Sequence, residues 1–104
     1  MVTQTEIDKA YEELKEAYDW MHAAGEIEIQ TKNDIEKKRL RYLADGIIDG
    51  KNQAMREASA AEVLKKELET LETVERDARA ARLNLDIAKA EVSRVQALLR
   101  LAEL

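Results

Sequence analysis

Residues 60–102 read AAEVLKKELETLETVERDARAARLNLDIAKAEVSRVQALLRLA, and their spacing decides the fold. Alternating steps of four and three land on Ala60, Leu64, Glu67, Leu71, Val74, Ala78, Ala81, Leu85, Ala88, Val92, Val95, Leu99 and Ala102. Glu67 is the one polar stop. An apolar repeat of 3.5 residues held this long predicts a helix lying along another helix in a left-handed supercoil.

The rest of the composition agrees with a thin helical seam. Of 104 residues, 38% are charged and 4% aromatic, and the chain has no Phe, Pro or Cys. Ala, Leu, Glu, Lys and Arg dominate, as in long helices and coiled coils. A single helical domain over 1–104 is expected, with oligomerisation or partners supplementing a small core. The formal net charge of −5 does not invite a polyanion as a whole. Without cysteine there are no disulfides, thiolate metal sites or cysteine nucleophiles. Met1 to Glu6 is polar and lacks a signal core, and no apolar run approaches the roughly 20 residues that span a bilayer. A cytoplasmic protein without membrane contact is the expectation.

Working outward, a first helix is predicted over about 5–24. Thr3 and Glu6 have capping-box spacing, and Ile7, Ala10, Leu14, Ala17, Met21 and Ala24 recur in heptad steps. Tyr11 and Tyr18 widen this seam and suggest a second neighbour. Trp20 lies at its edge, as a core-flanking residue or a binding anchor. Gly25 is read as a break. Glu26 to Thr31 alternates like a strand but has nothing to pair with, and it sets Glu28 and Thr31 where the seam should be apolar. A second helix is therefore predicted over about 33–45, restarting at the Asn33/Glu36 capping box. Ile35, Leu40, Tyr42, Leu43 and Ile47 form its apolar side, with Lys37, Lys38 and Arg41 pointing away. Asp45 to Asn52 is a turn built on Gly46 and Gly50, with Asn52 as the N-cap of a third helix over about 53–103. The expected fold is all-α: a long antiparallel helical hairpin or coiled coil, elongated, broken near Gly25, and oligomeric.

A second stripe lies behind the seam. Leu83, Ile87, Ala90, Ala97, Leu101 and Leu104, with Ala80, share the opposite face of the third helix, interrupted by Arg94. One partner helix cannot cover both faces, and exposed large aliphatics forgo roughly 1.5–3 kcal/mol of burial each. These residues are the candidate interface for a homodimer or another protein.

Catalytic and metal chemistry find little support. The turn mimics a phosphate-binding loop, but its glycine spacing is one short and no Ser or Thr follows Lys51. Read as an EF-hand, it sets Ile47 and Arg56 where oxygen ligands belong. Asp19 and His22 have the i, i+3 spacing of a bundle metal site but fall off the seam, so they should face solvent. No nucleophile–base pair is apparent, and neither an enzyme nor a cofactor is expected. Lys37, Lys38, Arg39, Arg41 and Lys51 form the basic cluster, in which Lys37, Lys38, Arg41 and Lys51 could contact nucleic-acid phosphates.

The turn Gly46-Ile47-Ile48-Asp49-Gly50-Lys51-Asn52, followed by Arg56, resembles a motif of small helical proteins from bacterial viruses and prophages. Those proteins carry Gly-x-Ile-x-Gly-Lys-Asn-x-x-x-Arg between two charged Ala/Leu-rich helices, with no assigned activity. The resemblance implies a helical hairpin in a viral or mobile-element setting, where a host or defence protein would be the partner.

Overall fold

The computed structural model describes residues 1–103. The chain is all-α: α1 spans Gln4–Ala44, α2 Gln53–Val63 and α3 Lys65–Ala102. The turn after Ala44 reverses the chain, so that Lys38 of α1 meets Glu67 of α3. Two compact units divide it, Met1–Gly25 with Asp77–Leu104, and Glu26–Arg76.

In the first unit, the two heptad seams face each other. Ala10 packs with Val92 and Val95, Ala17 with Leu85 and Ala88, and Ala24 with Ala78 and Ala81. Each step of seven up α1 is matched by a step of about seven down α3, which is antiparallel pairing in register. Ala17, Ala81 and Val95 are fully buried. Small side chains at these layers let two helix backbones approach closely. The α1 N-terminus is closed by the expected capping box: Glu6 N–H donates to Thr3 Oγ1 at 3.2 Å and Thr3 N–H to Glu6 Oε2 at 3.4 Å.

The second unit corrects several expectations. α1 has no break at Gly25 and does not restart at Asn33; residues 4–44 are one helix. The seam keeps its phase where it was expected to lose it. Glu28, Thr31, Ile35, Lys38 and Tyr42 continue the step of four and three from Ala24, and all five are half-buried. Long polar side chains reach water from such a position, and Glu28 does so in an ion pair with Lys32 at 3.0 Å. Breaking an established helix would forfeit backbone hydrogen bonds that these residues do not require it to lose. Ile27 and Ile29 are exposed as a result, as are Leu40 and Ile47, which the sequence pattern sets on the apolar side. Lys38 does not point away. Its ammonium meets Glu67 Oε1 at 2.5 Å, so the one polar stop in the α3 seam has its counter-charge on the facing helix.

The predicted third helix is interrupted for one residue at Leu64, which caps α2 with φ −100° and ψ 20°. Hydrogen bonds from Leu64 N–H to Ala60 and from Leu68 N–H to Leu64 carry the helical pattern across. No Gly or Pro marks this irregularity, and Leu64 itself is buried.

Candidate interaction surface

The turn is where sequence and geometry correspond most closely. Gly46 adopts φ +75°, with its N–H bonded to the Leu43 carbonyl and Ile47 N–H to the Tyr42 carbonyl. This pair of bonds is a Schellman cap closing α1. Gly50 adopts φ +154°, and a Cβ there would lie 2.7 Å from the Arg56 backbone nitrogen. Asn52 Oδ1 accepts from Met55 N–H at 2.9 Å, capping α2, and Arg56 donates to the Gly50 carbonyl at 3.3 Å. Ile48 is buried at 2% exposure. Every distinctive residue of the motif therefore has a backbone or packing duty, except Lys51, which is exposed.

The basic run is divided by its contacts. Lys38 is committed to Glu67, Arg39 forms a two-pronged pair with Glu36 at 2.6 and 3.0 Å, and Arg41 lies 5.7 Å from the Tyr42 ring centroid. Lys37, Lys38 and Arg41 do line one shallow groove, together with Asp34, but Lys51 does not line it. The Lys38 hydrogen bond holds the Glu67 carboxyl below its ordinary range, and Glu67 in turn raises the Lys38 ammonium.

The second stripe is fully displayed. Leu83, Ile87 and Leu101 are 62%, 60% and 65% exposed, and Ala80, Ala90 and Ala97 are exposed beside them. Leu104 lies outside the described residues. Behind them, the inner face of the same helix holds Ala78, Ala81, Leu85, Ala88, Val92 and Val95 at 0–7%. Large aliphatics thus stand on both faces of α3. Arg94 interrupts the stripe and is held against Glu91 at 2.7 Å.

One feature of this face was not anticipated. Ile87 joins Trp20, Ala88 and Asn84 in a groove of about 630 Å³, flanked by Glu13, Glu16 and Glu91. The stripe thus continues around α3 to the tryptophan of α1. Sequence spacing within one helix could place Trp20 at the seam edge but could not show that Ile87 stands opposite it. Tyr11 and Tyr18 occupy the other flank, both exposed: Tyr11 accepts a hydrogen bond from Gln96 at 2.9 Å, and Lys89 sits 5.6 Å from the Tyr18 ring centroid.

Asp19 and His22 are both exposed. Among the described residues, no three His, Cys, Asp or Glu side chains are grouped to hold a metal ion, and no helix is long and apolar enough to cross a membrane. Comparison of the chain with protein-family models, with curated proteins and with solved structures finds no match.

Proposed function

We infer that this protein is a non-enzymatic helical interaction module that self-associates through the outer face of α3 and presents its surface to a protein partner. The observation that carries this reading is the second apolar face of α3, with Leu83, Ile87 and Leu101 in solvent while Leu85, Val92 and Val95 already fill the inner face. Each such aliphatic stands to gain roughly 1.5–3 kcal/mol on full burial, and a contiguous exposed row of them marks a contact surface. Three large side chains per chain support association in the micromolar range or weaker once the cost of immobilising two molecules is met. The turn's resemblance to small phage and prophage proteins supports a cytoplasmic viral setting with a host or defence protein as the target.

Light scattering over about 1–500 µM tests the reading. The wild type is expected to approach twice its 11.9 kDa chain mass as concentration rises. Leu83→Glu with Leu101→Glu is expected to hold it at the single-chain mass with unchanged helical circular dichroism. A wild type that is monomeric throughout rejects self-association.

The groove of Lys37, Lys38 and Arg41 supports a second reading, an accessory nucleic-acid-binding role at the hairpin tip. A gel shift that weakens steeply with salt and is lost in Lys37→Ala with Arg41→Ala would favour it. No shift at low salt removes it.

A further inference from the structure

We propose that the outer face of α3 pairs antiparallel with the same face of a second copy, about a two-fold axis passing beside Val92. This rests on the self-association read above and specifies its geometry. Ala80, Leu83, Ile87, Ala90, Arg94, Ala97 and Leu101 form a heptad of their own, stepping by three and four. A two-fold contact must be self-complementary, each residue meeting in one copy what it offers in the other.

Among such antiparallel registers, one sets each of Leu83, Ile87 and Leu101 against an apolar residue of the partner. With Leu83 opposite the partner's Leu101, Ile87 meets the partner's Ala97, large against small, and Ala90 meets the partner's Arg94. Sliding one heptad one way sets Leu83 against the partner's Arg94.

Charge along one rim agrees, while on the other Glu91, already paired with Arg94 of its own chain, lies opposite the partner's Glu91. In this register Asp86 reaches the partner's Arg100 along one rim, twice by symmetry. Both side chains are exposed, and neither has an ion pair within its own chain among the described residues. A parallel pairing would stack Arg94 on the partner's Arg94 and bring Asp86 beside the partner's Glu91. On the second rim Asn84 faces the partner's Leu98, which delivers an apolar side chain to the groove between Trp20 and Ile87. Leu98 is 38% exposed within the single chain and free to serve there.

The absence of cysteine makes the register directly readable. Ser93 is exposed and adjoins the axis, so Ser93→Cys is expected to oxidise to a disulfide dimer by itself. Leu83→Cys is expected to stay uncross-linked alone and to cross-link when mixed with Leu101→Cys. Asp86→Arg or Arg100→Glu alone should weaken the dimer about five- to thirtyfold, and combining them in one chain should restore it. The two single variants, mixed, should prefer each other. Emission from Trp20, the only tryptophan, should shift to the blue as the dimer forms. Leu83→Cys cross-linking to itself while Ser93→Cys does not would overturn the antiparallel register but leave self-association standing. A chain that never dimerises overturns both.

Discussion

The unit of Met1–Gly25 with Asp77–Leu104 and the unit of Glu26–Arg76 are threaded by the same heptad step but fill it differently. In the first, Ala10, Ala17, Ala24, Ala78, Ala81, Leu85, Ala88, Val92 and Val95 are 0–7% exposed, with Ile7, Leu14 and Leu99 half-buried and Met21 exposed at the remaining heptad stops. In the second, Glu28, Thr31, Ile35, Lys38, Tyr42 and Glu67 take the corresponding places half-buried, and only Ile48 and Leu64 are buried. A helix pair can therefore be maintained either by close alanine and valine layers or by a wetter seam with a matched ion pair. Both units leave large aliphatics exposed, Ile27, Ile29, Leu40 and Ile47 in the second, and in the first Leu83, Ile87 and Leu101 share one face of α3.

The sharpest way to break this comparison is to remove one side chain from each seam. Leu85→Ala leaves a cavity at a 4% exposed site and should cost about 2–5 kcal/mol in urea unfolding. Ile35→Ala, at a half-buried site, should cost about 1 kcal/mol. Equal losses would mean that the two seams are packed alike. Next in size is Gly25→Ala. A Cβ there meets nothing within 4 Å, and α1 passes through, so replacing glycine in a helix interior should raise stability by roughly 0.5–1 kcal/mol. A loss of stability would return Gly25 to its role as a break.

The smallest effect is on pH dependence. The Glu67 carboxyl is lowered by Lys38, so its contribution is present above the unfolded carboxylate value of about 4.3 and is lost as acid takes pH below it. The Lys38 ammonium is raised, so its share persists below about 10.4 and fades only as pH climbs past its elevated folded value. Thermal melts from pH 7 to 3 should show a smaller acid loss in Glu67→Gln than in wild type. Identical acid curves would show that the pair is solvated enough to contribute nothing.

Much of this structure was legible in the chain. The α3 seam, the capping box at Thr3 and Glu6, the turn glycines and the Asn52 cap all follow from residue type at fixed spacing. The missed features share a cause. Gly25, Glu28 and Thr31 argue locally for a break, but α1 passes through them because polar side chains can escape a half-buried position. Lys38 reads as a solvent-facing cation from its own helix alone, because its partner, Glu67, lies 29 positions away on the facing helix. The Trp20 groove likewise joins two helices far apart in sequence.

By itself, then, the sequence determined which faces of each helix are apolar and where the chain turns, because those depend on periodicity and on backbone angles only glycine tolerates. Only the tertiary structure decided that α1 is unbroken, that Glu67 is answered by Lys38, and that the outer row on α3 reaches Trp20. Those outcomes depend on which layer of one helix stands opposite which layer of the other, and spacing along a single helix carries no record of that.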